Sequence, residues 1–181
     1  MNNPDFIQPL HVDARREGLP PVIDERCKIL IVGSFPSNIS LAQNEYYANP
    51  RNDFWRIITR VLNMPQKISY PMRIQFLLDH HIGLWDVIGS CQRTGSSDTA
   101  IRNSTPSDIP SLLKQYPKII AIVANGRKAE SGLTKILKEM DRNTSSHIQQ
   151  IYLPSSSPAH AIRIEEKTDA WMVLQALIQK E

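Results

Sequence analysis

Four short apolar runs, at residues 28–32, 82–87, 119–124 and 148–153, narrow the fold more than anything else in the chain. Each is too short for a helix and rich in Ile and Val, which suits strands buried on both faces. Between them the apolar period changes. Phe54, Ile57, Ile58, Val61 and Leu62 recur at helical spacing, as do Leu133, Ile136, Leu137 and Met140, and each set makes one core-facing stripe. A last helix is expected to open near Thr168 or Asp169 and to bury Trp171, Leu174, Leu177 and Ile178. Strands separated by helices imply right-handed crossovers. The expected fold is therefore a three-layer α/β/α domain around a central, mostly parallel four-stranded sheet. Residues 1–24 carry Pro4, Pro9, Pro20 and Pro21 without sustained periodicity and read as an N-terminal arm, leaving 25–181 as a single domain.

Composition removes several function classes. Cys27 and Cys91 are the only cysteines, and neither has the spacing of a zinc, iron–sulfur or redox motif. They read as two reduced thiols. The adjacent pair His80 and His81 lacks helical metal-ligand spacing, so no metal and no cofactor are expected. The N-terminus has no basic segment followed by an apolar run, and no stretch reaches the roughly 20 apolar residues of a membrane span. A cytoplasmic protein without membrane contact is the expectation. A net charge of +3 permits nucleic-acid binding without requiring it.

The loops at the strand ends are more informative, because in an open parallel sheet the carboxyl ends of the strands form the ligand crevice. The segment GSFPSNISLAQNEYYANPRNDFW, residues 33–55, runs from a strand end through more than a dozen polar and aromatic residues before the next helix. A loop of that length in a small domain is commonly functional. Tyr46 and Tyr47 either supply aromatic faces for a flat base or pack onto the domain. Asn125, Gly126, Arg127 and Lys128 lie where the third strand feeds a helix, a place that attracts anions. After the fourth strand comes LPSSSPAHA, residues 153–161, a stiff loop of small hydroxyl residues that can meet phosphates without blocking a duplex. Asp86, after the second strand, is either an acid or base or a structural hydrogen-bond partner.

Together these segments resemble the mismatch-specific uracil and thymine DNA glycosylases. Gly33, Pro36, Tyr47, Pro50, Asn52, Phe54 and Trp55 keep the register of that family's first motif, and 153–161 is similar to its second. Two departures matter: Phe35 stands where the family has a water-activating Asn, and Leu153 where many relatives begin the second motif with His. GSFPS with YYANPRNDFW looks like the hypoxanthine-DNA, or DNA-deoxyinosine, glycosylases of the same superfamily.

That resemblance implies a monomeric repair enzyme that flips a deaminated base, hypoxanthine first, out of DNA and hydrolyses its N-glycosidic bond without lyase chemistry. It implies Asn52 and Asn125 as catalytic residues, with Gly33, Ser34, Phe35, Tyr47 and Asn125 around the base. It implies Pro154, Ser155, Ser156, Ser157, His160, Arg127 and Lys128 on the DNA. Asn52 has a structural alternative, capping the Phe54 helix, which Asp53 could also do. His160 alone is as compatible with a structural role. A uracil or thymine mismatch glycosylase using Asn52 in place of the missing Asn, an inactive DNA- or nucleotide-binding module of the same fold, and a doubly wound domain for a small phosphorylated ligand are the competing readings.

Overall fold

A computed structural model describes residues 14–140 and 148–179. Four parallel strands form the central sheet: β2 (Ile29–Gly33), β3 (Ile82–Asp86), β6 (Ala121–Asn125) and β7 (Gln149–Leu153), in the spatial order β3-β2-β6-β7. These are the four apolar runs of the sequence.

Alternation along β2 divides the core in two. Ile29 and Ile31 face one cluster with Phe54, Ile57, Ile58, Leu77, Trp171 and Leu174. Leu30 and Val32 face the other, with Leu112, Ile122, Leu133, Ile136 and Leu137. Helices therefore cover both faces. On the first side lie α2 (Phe54–Leu62), α3 (Tyr70–Asp79), α6 (Ile164–Trp171) and α7 (Val173–Ile178); on the second lie α4 (Ile109–Gln115) and α5 (Arg127–Lys138). A short α1 (Asn38–Gln43) sits inside the long loop after β2. The three-layer α/β/α architecture expected from the sequence is what the chain adopts. No helix among the described residues is long and apolar enough to cross a membrane.

Four features differ from the sequence expectation. A second, antiparallel sheet of order β1-β4-β5 joins Arg15–Glu17, Ile88–Gln92 and Arg102–Pro106. Its outer strands are polar and exposed, so no apolar alternation betrays them. Of the arm expected over 1–24, residues 1–13 lie outside the described residues; Arg15–Glu17 pair with β4, Leu19 is buried and Val22 bridges Leu84. The final helical segment begins at Ile164, four residues before the expected cap; Arg163 stands at the cap position and makes no side-chain bond there, so no capping residue marks the start in the sequence. β7 is an edge strand whose Gln149, Gln150 and Tyr152 are exposed, unlike the fully buried β2 and β6.

Candidate active site

Strand register brings the unusual residues to one edge. Gly33 pairs with Asp86 and Asn125 pairs with Leu153, so the four strands end level with one another. A cleft of about 410 Å³ opens over them, in the size range of ligand pockets. Its lining includes Gly33, Tyr47, Asn52, Asp86, Asn125 and Ser156.

Gly33 is a steric requirement. A Cβ there would collide with Asp86 Oδ1 and crowd the Tyr47 hydroxyl at 3.2 Å. Tyr47 has φ 56°, a left-handed conformation that costs a bulky residue strain and persists only where its surroundings hold it. Two contacts do so. Its ring stacks on Phe54 with centroids 3.8 Å apart and planes 14° from parallel, and its hydroxyl accepts from Asn125 Nδ2 at 3.1 Å. Burial, followed by the nearby Asp86 charge, raises the Tyr47 phenol well above its ordinary range, so it stays neutral. Tyr46 turns the other way into the core, its hydroxyl donating to the Leu19 and Pro20 carbonyls at 3.2 and 3.0 Å. Both tyrosines border the cleft, but Tyr46 is buried in the core while Tyr47 is only partly buried.

Asn125 is a strut. Its Nδ2 also donates to Ser156 Oγ at 2.8 Å, and its Oδ1 accepts from the Ser156 N–H at 2.8 Å. Both amide hydrogens are engaged within the protein, and the residue lines the cleft in which the resemblance puts the base. Ser156, expected on the DNA, is fully buried against Asn125. Gly126, at φ 96°, allows this closeness, since a Cβ there would lie 2.8 Å from Ser155 Cβ.

Asn52 does two things at once. Its Oδ1 accepts from the Phe54 N–H at 2.9 Å, the capping role, while its Nδ2 has no protein partner among the described residues and the residue lines the cleft. Asp53 does not cap with its side chain. Its Oδ2 accepts from Lys167 Nζ at 2.9 Å and its N–H donates to Ser156 O at 2.9 Å. Lys167 is 1% exposed and also reaches Ser157 O at 3.3 Å, while Trp171 Nε1 donates to Pro154 O at 3.0 Å. Helix α6 therefore holds both loops. Sequence reading missed Lys167, although a lysine four residues before Trp171 on the apolar face was the available signal.

Asp86 is the other residue that pattern reading left undecided. It is 5% exposed, and its Oδ2 is buried without a hydrogen-bond partner. Burial, followed by the Asp98 carboxylate, pushes its carboxyl from 3.8 up to about 7, with Arg93 pulling the opposite way. Ser34 donates to Asp98 Oδ1 at 2.8 Å and so ties the first turn to this segment. Phe35 is 6% exposed, with the Arg93 guanidinium 4.9 Å over its ring. A second hollow beside the cleft is lined by Arg127, Lys128, Ser155, Ser157 and His160, with both cations exposed at the α5 N-terminus. Pro154 is half-buried at the start of the serine loop.

Comparison with known proteins fits this arrangement. The family model for the uracil DNA glycosylase superfamily matches residues 20–179. The chain belongs to that superfamily. Within it, a hypoxanthine DNA glycosylase from Methanosarcina barkeri is 34% identical over 158 residues, which are 87% of this chain and 96% of the relative. A protein of the same name from Methanosarcina acetivorans is 36% identical over 157 residues, 86% of this chain and 95% of that one. A solution NMR structure from Methanosarcina acetivorans, described as a candidate uracil DNA glycosylase, superposes with a TM-score of 0.73 at 34% identity. It covers 90% of this chain and 99% of its own. Against the superfamily motifs, Phe35 packs inward where a polar side chain is usual, and Leu153 is 4% exposed. Asn52, Asp86 and Asn125 are among the polar residues that line this cleft, together with Ser34, Asp98 and the serine loop.

Proposed function

We propose that this chain is a monofunctional DNA glycosylase that removes a deaminated base, hypoxanthine first among them, and leaves an abasic site. The observation that carries the reading is the Tyr47–Asn125–Ser156 chain of hydrogen bonds. It locks a strained aromatic over the strand ends beside Asn52 and ties it to the loop expected to meet the DNA backbone. Two relatives that match nearly all of the chain carry the name hypoxanthine DNA glycosylase.

Each element has a task that hydrolysis of an N-glycosidic bond requires. Extruding a base from the duplex takes a few kcal/mol, least at a mispaired base, and the extruded base needs a stacking surface. Tyr47, braced on Phe54, offers that surface. Asn52, with Oδ1 held by the helix, presents Nδ2 as a donor to the leaving base or to the attacking water. Asn125 fixes Tyr47 and the serine loop together. Arg127, Lys128, His160, Ser155 and Ser157 border the hollow next to the cleft, where free N–H groups of α5 and positive charge favour phosphates.

The test uses end-labelled duplexes carrying a single deoxyinosine, deoxyuridine or deoxyxanthosine, treated with alkali after incubation to cut abasic sites. Cleavage at inosine above uracil, with loss of about a hundredfold or more in Asn52→Ala, is the expected result. Uracil excision exceeding inosine excision would move the assignment to a mismatch uracil glycosylase, and absence of any product to a DNA-binding module.

A further inference from the structure

The cleft holds one buried polar group that the proposed function leaves without a task, the Asp86 carboxyl. It stands at the end of β3, in register with Gly33 and so close over it that no Cβ fits between them. It lines the cleft together with Tyr47 and Asn52, and its Oδ2 is buried with nothing to bond to. Such an orphan is expensive to keep, and one inside a cleft at a strand's carboxyl end points to a use.

We propose that Asp86 is the general acid of the reaction, delivering a proton to a ring nitrogen of the extruded purine as its bond to the sugar breaks. This rests on the reading of the chain as a glycosylase and adds to it the residue that makes the base a better leaving group. The surroundings favour the protonated carboxyl. Asp98, from the short helical turn after β4, opposes a second negative charge. Tyr46 and Tyr47, from the long loop, are held neutral by burial. Among the described residues Arg93 is the one cation that acts on it; its Nη2 donates to the Pro36 carbonyl and its guanidinium lies over Phe35, while Nε and Nη1 make no hydrogen bond, to Asp86 or to any other group. Burial and Asp98 outweigh it, so the carboxyl titrates near neutrality.

The step balances. The C1′–N9 bond breaks and its electron pair stays with the base. The Asp86 O–H bond breaks, and the proton goes to N7 or N3 of the purine, which leaves neutral. A water oxygen bonds to C1′ and gives up its surplus proton to bulk water, from which the Asp86 carboxylate is reprotonated. A purine has a basic ring nitrogen to receive that proton, whereas uracil leaves with its charge spread over carbonyl oxygens, so this acid favours purine substrates.

Single-turnover excision of inosine from a duplex, measured from pH 5 to 9 with the wild-type protein and Asp86→Asn, tests the assignment. The wild type should be fast and level at acid pH and should slow about tenfold per pH unit above neutrality. The Asn variant should be about 10²- to 10⁴-fold slower at pH 6, the usual contribution of a positioned acid, with a flat profile and unchanged binding to inosine duplex. Rates within about threefold of each other at pH 6, or a wild-type rate that climbs with pH as a general base requires, would overturn it. Should Asp86→Asn not fold, the wild-type profile and Asp86→Glu decide, since Glu should keep an alkaline limb. A wild type inactive on every base at every pH would remove the function proposed above together with this one; an active wild type matched by its Asn variant would remove this one alone.

Discussion

Asp86→Asn should stabilise the protein at alkaline pH and do little at acid pH, because the native fold holds the Asp86 proton more tightly than the unfolded chain does. The carboxyl titrates near 3.8 when unfolded and at about 7 in the native cleft. Its proton-linked stabilisation is complete below the unfolded value, is lost as pH rises through the window between the two, and is gone above about 7. At about 1.4 kcal/mol for each pH unit of that window, the whole loss amounts to ~4 kcal/mol, an upper bound for a side chain that water can partly reach. An amide in its place cannot ionise and escapes the loss. Urea denaturation of both proteins at pH 5 and pH 8 reads this directly. The stability of Asp86→Asn relative to wild type should rise by about 2–3 kcal/mol between the two pH values. An unchanged difference would mean that Asp86 titrates as an ordinary carboxylate and would refute the reasoning.

Asn125→Ala removes three hydrogen bonds and leaves the buried Ser156 unpaired, so it should lower stability by about 1–3 kcal/mol in thermal melts. It should also slow excision, since both Tyr47 and the serine loop lose their tie. Lys167→Met removes the bonds to Asp53 and Ser157 O but leaves Asp53 its pair with Arg56, so it should cost about 1.5–3 kcal/mol in urea melts. Lys128→Ala should weaken binding to damaged and undamaged duplexes alike. It should also reduce the slope of log affinity against log salt by about 1, if Lys128 meets a phosphate.

How much of this was legible depends on where the information lies. The centre of the sheet could be read because β2 and β6 are buried on both faces and therefore written in Ile, Val, Leu and Ala. The antiparallel sheet could not, since Arg15–Glu17 and Arg102–Pro106 are held by backbone pairing and polar side chains rather than by an apolar face. Strand ends could be read too, and they locate the cleft. The division of labour inside it could not, because it depends on partners far apart in the chain. Asn125 meets Ser156 across 31 residues, and Lys167 meets Asp53 across 114. Asp86 looks like any carboxylate until the sheet buries it and brings Asp98 alongside. Asn52 shows that capping and function need not exclude each other, since one end of its amide serves the helix and leaves the other free.

The central claim is that this chain breaks the bond between a deaminated base and its sugar. Chromatography of the small molecules released from an inosine-containing duplex tests it most directly. Free hypoxanthine, in equal amount to new abasic sites and with the strand intact until alkali is added, is the predicted result. Strand scission near inosine without free base, or an unaltered duplex, would contradict it.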